Sequence, residues 1–346
     1  MPEPLQFGNE TGKNILVADF LDEVRVELPV LGDVARVTLA RAWNETELDA
    51  YLPDADVIIL FHDIAHLGET TFAKANRLKA VVRAGVGYNN VNIEAAGKRG
   101  ILTCNVPDYG SEEVADHAMM MLLALVRQLA ASDRSIREGQ WDFKVAEATP
   151  RLRGKTLGVV GCGRIGTAMV QRAKAFGLDV LFYDPYLPDG IDKALGIRRA
   201  WTLDEFLPQC NFLSLHCYLD ESSYHLIDER ALAALPRGAY VVNTARGPVI
   251  KQEALVAALE SGHIAGAGID VFEREPFDDE PLRKMSNVFL TPHSAFYSRE
   301  GFDELRHKTA EEARRIVLGQ PPRNVVNYQY LQNPRTPVNP PRTRGA

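Results

Sequence analysis

Residues 156–166 read TLGVVGCGRIG, an apolar run of strand type that ends in Gly161, Gly163 and Gly166 at the spacing GxGxxG. Three glycines so placed, after a strand and before a helix, define a strand–turn–helix unit with a particular use. Gly161 permits the tight turn, Gly163 lets a pyrophosphate approach the backbone, and Gly166 lets the helix pack closely on the strand. The helix that begins near Ile165 then turns its unpaired N–H groups and positive dipole end toward the phosphates. The next strand, 180–183, ends in Asp184, eighteen residues past Gly166, where a carboxylate can accept hydrogen bonds from ribose hydroxyls. No arginine or lysine follows Asp184 before Lys193, so a 2′-phosphate would meet a carboxylate and no guanidinium. The cofactor expected is NAD(H), in preference to its 2′-phosphorylated form.

The rest of the chain repeats the same alternation. Apolar runs at 15–18, 34–38, 56–60, 80–82 and 101–103 are separated by helical stretches at 45–51, 69–75 and 92–98. A second series of runs lies at 156–160, 180–183, 212–216, 240–244 and 266–270. Strands alternating with helices imply parallel sheets covered on both faces. The fold expected is α/β, with two Rossmann- or flavodoxin-like doubly wound parallel-sheet domains around a cleft, joined by a long apolar helix over 112–131. An amphipathic segment at 301–318 carries the chain back, so the first domain is discontinuous. Residues 1–107 and 299–328 form the substrate domain and 108–298 the NAD-binding Rossmann domain. Residues 329–346, with little apolar surface to bury, are expected to be a disordered tail.

Composition narrows the class. A chain of 346 residues, 46% hydrophobic, can build two packed domains. Its formal net charge of -7 repels phosphate backbones, which excludes nucleic acid as a primary partner. The longest apolar run, 118–126, is far shorter than the roughly 20 residues needed to cross a bilayer. The first residues show no basic and apolar leader, and the four cysteines form no CxxC pair. A cytoplasmic protein with no membrane contact and no metal site is expected.

Three segments, VNTARG at 242–247, GIDVFEREP at 268–276 and LTPHSA at 290–295, each end an apolar run in polar groups. Hydride transfer to a 2-oxo acid needs a cation for the carboxylate, a proton donor for the C2 oxygen and a group that keeps the donor charged. Arg246 offers a planar fork for the carboxylate. Histidine is the side chain type that changes charge near neutral pH, and His293 can give or take the proton. Glu275, hydrogen-bonded to the other ring nitrogen, would favour the imidazolium form. Asp270 is read as a strand-end carboxylate facing the nicotinamide amide.

The segments RAGVGYNNVN, CNVPDYGSEEVADHAM, LRGKTLGVVGCGRIG, LFYDP, VNTARGPVI, GAGIDVFEREP and NVFLTPHSAF together resemble the D-isomer-specific 2-hydroxyacid dehydrogenases, over most of residues 80–320. KAFGLDVLFYDPYLPDGIDKALG and TPHSAFYS look especially like the C-terminal binding protein branch of that family, whose members bind nicotinamide cofactors and serve as corepressors. The resemblance implies Arg246, Glu275 and His293 as the catalytic set and Val86 and Gly87 as a loop whose N–H groups hold the carboxylate. Arg83, His62, Tyr88 and Phe296 would line the substrate pocket. Besides the glycines and Asp184, the cofactor site is expected to take in Arg164, Ile165, Tyr183, His216, Thr244, Ala245, Asp270 and Val114. The family's common form, a homodimer, is expected too. Two features depart from the pattern: Phe296 stands where the corepressor branch has tryptophan, and a loop that usually reads Asp-Asn-x-Asp is Asn89-Asn90-Val91-Asn92. The function expected is an NAD-dependent D-2-hydroxyacid dehydrogenase acting on a small 2-oxo or 2-hydroxy acid. The alternative is an NAD(H)-sensing, corepressor-like binding protein with little or no turnover.

Overall fold

The computed structural model describes residues 5–9, 12–278 and 280–340. The chain divides into two units, one made of the described residues up to Tyr109 and from Arg299 onward, the other of Gly110–Ser298.

The first unit is built on strands β1 (Leu5–Gly8), β2 (Asn14–Val17), β3 (Arg36–Leu39), β4 (Val57–Leu60), β5 (Ala80–Arg83) and β6 (Leu102–Asn105), in the order β1-β3-β2-β4-β5-β6. NILV, VIIL and AVVR of β2, β4 and β5 are buried throughout, as parallel strands covered on both faces must be. β1 is the exception: a mostly exposed edge strand, antiparallel to β3, whose four residues LQFG carry no strand pattern to reveal it. The helix expected over 45–51 is a 3₁₀ turn, Glu45–Leu48, followed by a second at Leu52–Asp54. Asn44 caps the first by accepting from Thr46 and Glu47, and Pro53 prevents a longer helix. The chain passes from β2 to β3 on one side of it and then crosses back over β2 to β4 on the other, so the direction of winding reverses at β2. The C-terminal ends of β2 and β4 therefore flank the position where open α/β sheets bind ligands.

Helix Arg299–Val317 belongs to this unit and buries Leu305, Thr309, Ala310, Ala313, Ile316 and Val317 at helical spacing. Its buried Arg306 reaches Glu27 with two hydrogen bonds of 2.7 Å. The tail expected to be disordered from 329 is ordered over 329–340, which corrects the composition argument. Arg335 donates its backbone N–H to Gly100 and its guanidinium to the carbonyls of Ala75, Asn76 and Leu78, while Tyr330 lies against Gly97. Hydrogen bonds hold this segment where apolar burial does not. Residues 341–346 lie outside the described residues.

The second unit contains β7 (Thr156–Val160), β8 (Asp179–Tyr183), β9 (Arg198–Ala200), β10 (Phe212–Leu215), β11 (Ala239–Asn243), β12 (Ile264–Ile269) and β13 (Val288–Leu290). The sheet is parallel throughout, in the order β13-β12-β11-β10-β7-β8-β9, so its switch point falls between β7 and β10. Val160, Leu213, Val241 and Ile269 pack on one face, and Leu157, Val159, Phe212 and Val242 on the other. The helix expected over 112–131 is two helices, Ser111–Val126 and Leu129–Arg137, bent by 59° where Gln128 takes a left-handed conformation at φ 52°. The first buries Ala115, Ala118, Leu122 and Leu125 against the sheet. Glycines in β12 make room for it, since a Cβ on Gly268 would come within 2.8 Å of Met121 Cβ. Among the described residues, no single helix is long and apolar enough to cross a membrane, and no group of three or more His, Cys, Asp or Glu side chains is placed to hold a metal ion.

Candidate active site

The register of the second sheet lines up its C-terminal edge. Leu157–Val160 of β7 pair with Phe212–Leu215 of β10, Asn243 with Ile269, and Ile269 with Leu290. Gly161, Asp184, His216, Thr244, Asp270 and Thr291 each follow one of these strand ends. The glycine turn is sterically demanding. Gly161 has φ 82°, and a Cβ there would lie 2.6 Å from Cys217 N; a Cβ on Gly166 would lie 2.1 Å from Gly161 O. Around Gly163, by contrast, a Cβ would meet nothing within 4 Å. Helix Arg164–Ala175 starts there, with Arg164 exposed and Ile165 half-buried. Asp184, after Tyr183, accepts from Cys162 N and Tyr186 N, both at 3.0 Å, which ties the acidic strand end to the glycine turn.

Two buried polar atoms at this edge have no hydrogen-bond partner among the described residues, Thr244 Oγ1 and His216 Nδ1. The other ring nitrogen of His216 pairs with Ser214 Oγ at 2.8 Å, and burial pushes the imidazole down to about 4, so it is neutral at pH 7. Orphaned buried polar groups are rare and point to a missing ligand. Together with the open space over Gly163, they fit a dinucleotide along this edge. Val114, on helix Ser111–Val126, is buried.

On β11, Asn243 shapes the turn that follows: its side chain accepts from Ala245 N and donates to Arg246 O. Gly247 is needed here for close approach, because a Cβ would fall 1.9 Å from the Phe272 carbonyl group and 2.4 Å from Glu273 N. This contact seats Arg246 beside the Glu275 loop. Arg246 Nη1 donates to Ala245 O at 2.6 Å. Glu275 Oε1 accepts from Phe272 N at 3.0 Å, and Oε2 pairs with His293 Nδ1 at 2.8 Å. Burial pushes the Glu275 carboxyl up, but the His293 hydrogen bond and charge, the Phe272 N–H and the Arg246 charge outweigh it and hold it below its usual value. The carboxylate is therefore ionised at neutral pH.

His293 adopts a left-handed backbone at φ 51°, and its N–H donates to Asp270 O at 2.8 Å. Asp270, 1% exposed, holds the rest of that loop: its carboxylate accepts from Thr291 Oγ1 at 2.6 Å, Ser294 N at 2.9 Å and Ala295 N at 3.1 Å. His117 Nε2 lies 3.0 Å from Thr291 Oγ1. Thr291 and His117, which motif reading did not single out, extend the support behind His293. Phe296, half-buried, follows the same loop with its ring 6.3 Å from that of Tyr297.

The first unit gathers a second group of residues at the ends of β2, β4 and β5. Arg83 ends β5, is 7% exposed, and donates to Ala84 O at 2.7 Å. Gly85, at φ 149°, accommodates it, since a Cβ there would overlap the guanidinium. Val86 accepts through its carbonyl from Asn105, and Tyr88 from Val91 N, with Gly87 between them half-buried. His62 is exposed on the loop after β4, with its ring 5.9 Å from Phe20. Asp19 and Asn90, which sequence reasoning did not assign, hold that loop. Asp19 accepts from Phe61 N, Asp63 N and Ile64 N, while Asn90 donates to the carbonyls of Phe61 and Ile64. Burial pushes the Asp19 carboxyl up to about 6 against those backbone hydrogen bonds. An acid placed immediately after a buried strand, at a sheet's switch point, was the available signal.

Residues 119–295 match the family model described as D-isomer specific 2-hydroxyacid dehydrogenase, NAD binding domain. D-3-phosphoglycerate dehydrogenase of Methanocaldococcus jannaschii is 37% identical over 317 residues, which cover 92% of this chain and 60% of that protein. C-terminal-binding protein 1 of Caenorhabditis elegans is 35% identical over 327 residues, 91% of this chain and 45% of that one. The chain thus spans between 45% and 60% of the length of these two relatives. A crystal structure of a glyoxylate reductase from Paecilomyes thermophila matches with a TM-score of 0.83 and 27% identity, covering 92% of this chain and 99% of the other. The chain belongs to the family of D-isomer specific 2-hydroxyacid dehydrogenases, and residues 119–295 are its NAD-binding portion.

Proposed function

We propose that the chain is an NAD-dependent D-2-hydroxyacid dehydrogenase that interconverts a small 2-oxo acid and its 2-hydroxy acid. The observation that carries this reading is the 2.8 Å pair of His293 and Glu275 with the Arg246 charge beside it. Bound NAD(H) supplies or accepts the hydride at C2. Gly161, Gly163, Arg164, Ile165 and Gly166 cradle its pyrophosphate, Tyr183 and Asp184 its ribose, and Val114, His216, Thr244, Ala245 and Asp270 the remainder. Asp270 keeps capacity for this, since a carboxylate has about four acceptor positions and its own loop takes three among the described residues.

Arg246 orients the substrate carboxylate by a two-pronged contact. His293 gives a proton to the C2 oxygen in reduction and takes it back in oxidation. Glu275, on Nδ1, assigns that transfer to Nε2 and stabilises the charged ring. The family resemblance assigns the backbone N–H groups of Val86 and Gly87 to the acid's carboxylate, and Arg83, His62, Tyr88 and Phe296 to its side chain. Two of the relatives support the substrate class by name, one a phosphoglycerate dehydrogenase and one a glyoxylate reductase. The test is NADH oxidation by the purified protein against a panel of 2-oxo acids: pyruvate, glyoxylate, hydroxypyruvate, and branched, aromatic and phosphonate members. Saturable turnover of one member supports the reading; tight NADH binding with no turnover of any overturns it.

The likeness to C-terminal-binding protein 1 is the observation that favours a second reading, in which NAD(H) is sensed and a protein partner is bound. The intact Arg246, Glu275 and His293 set weighs for catalysis. A homodimer fits either reading, and the segment 129–145 supports it by exposing Leu129, Ile136, Trp141 and Phe143, the last two 92% and 86% exposed. Four free cysteines, three of them buried, fit the reducing cytoplasm, and the negative net charge speaks against a nucleic-acid partner.

A further inference from the structure

Asp184 opens the turn Asp184-Pro185-Tyr186-Leu187-Pro188, in which the two prolines contribute no N–H donors. The carbonyls of such a turn need a donor from elsewhere. Arg199 provides it. This residue sits on the edge strand β9, in register with Phe182 of β8, and its side chain is only 4% exposed. Nη2 donates to Asp184 O at 2.8 Å and Leu187 O at 2.9 Å, and Nη1 donates to Pro188 O at 3.1 Å. The guanidinium carbon lies 4.0 Å from the Trp201 ring centroid and 5.5 Å from that of Phe182. The acid nearest to it, Asp189, is 3.8 Å away and 91% exposed, so the site is built around the three carbonyls more than around an ion pair.

We propose that Arg199 is a positioning residue for cofactor selection: by clamping three carbonyls of the 184–188 turn it fixes the Asp184 carboxylate where the ribose hydroxyls arrive. The inference rests on the reading of Asp184 as the ribose acceptor. The link runs through the turn itself, because Tyr186 N, held in the clamped segment, donates to Asp184 Oδ1 while Cys162 N of the glycine turn donates to Oδ2. Arginine is required, since a lysine ammonium is a point donor and cannot span carbonyls spread across the turn. The clamp also commits the cation. A guanidinium lies close to Asp184, yet both of its terminal nitrogens already donate to the protein's own carbonyls and its Nε–H, which has no partner among the described residues, is buried, so the terminal nitrogens are not turned toward a 2′-phosphate.

The experiment uses the full chain and three variants, Arg199→Met, Arg199→Lys and Asp184→Ala. Dissociation constants for NADH and NADPH are read by fluorescence titration, with kcat and Tm measured alongside. Arg199→Met is expected to weaken NADH about tenfold and NADPH little, so that the NADH preference falls about tenfold, the worth of one charge-assisted hydrogen bond. kcat at saturating NADH should stay within about twofold, because no catalytic group is touched. Arg199→Lys, the milder change should the methionine variant fail to fold, is expected to lose most of the same preference. A lowered Tm with wild-type preference in both variants assigns Arg199 a structural role only and overturns the inference. If Asp184→Ala shifts the preference and the Arg199 variants do not, the inference falls alone. If none of the three shifts it, the Asp184 reading falls and takes the inference with it.

Discussion

Glu275 Oε2 and His293 Nδ1 are 2.8 Å apart although the residues are carried by separate loops, one after β12 and one after β13. The distance is set by backbone contacts: Phe272 N fixes one oxygen of the glutamate, and Asp270 fixes the loop and the left-handed turn at the histidine. Glu275→Gln keeps the shape of the side chain and removes its charge. We expect kcat/KM for the 2-oxo acid to fall by about a hundredfold, with NADH affinity unchanged. Steady-state kinetics check this, and turnover equal to wild type would remove Glu275 from the relay.

Arg246→Ala addresses the carboxylate anchor. Loss of the oriented fork should lower kcat/KM by about three orders of magnitude while NADH still binds. A variant that loses NADH binding in parallel would instead assign Arg246 to the cofactor.

Gly247→Ala tests the packing that seats Arg246. Its new methyl would overlap the Phe272 carbonyl group, so the backbone on one side must move. Thermal unfolding should show a loss of about 2 kcal/mol or more, and Arg246-dependent activity should fall with it. An unchanged Tm means that the Arg246 turn does not press against residues 272–273 as described.

The buried acid Asp19 makes a pH prediction. Its carboxyl, pushed by burial from 3.8 up to about 6, holds its proton more tightly in the folded chain than in the unfolded one. The stabilisation is therefore full below about pH 4 and lost as pH rises through 6. Across that interval the unfolding free energy of wild type, measured relative to Asp19→Asn, should drop by about 3 kcal/mol. Denaturant titrations at several pH values read this difference; a difference that grows with pH contradicts the buried, proton-retaining environment.

Chemistry was legible in the sequence wherever a residue type met a demand at a strand end. The glycines of GxGxxG, and Arg246, Glu275 and His293 after apolar runs, stood out because turns and proton transfer accept few substitutes. The supports behind them were not legible. Asp19, Asn90, Thr291 and His117 act through backbone amides or through one another across gaps of tens to hundreds of residues, and no local pattern marks such pairs. Local conformation also misled the reading of 112–131, where an apolar stretch continues across the left-handed turn at Gln128. Residues 329–340 are poor in apolar side chains, and the hydrogen bonds of Arg335 that hold them leave no mark in composition. Arg199 lies beyond Lys193 in sequence, and it reaches the turn after Asp184 because the sheet brings it back from the neighbouring strand.

The central claim is hydride transfer at C2, and an isotope reads it directly. NADH carrying deuterium on the transferred position of its nicotinamide is incubated with the protein and the panel of 2-oxo acids, and the products are analysed by mass and chirality. The account predicts one deuterium at C2 of a D-2-hydroxy acid, formed by wild type and not by the Arg246→Ala chain. Bound NADH that never passes its label to any acid of the panel would contradict it.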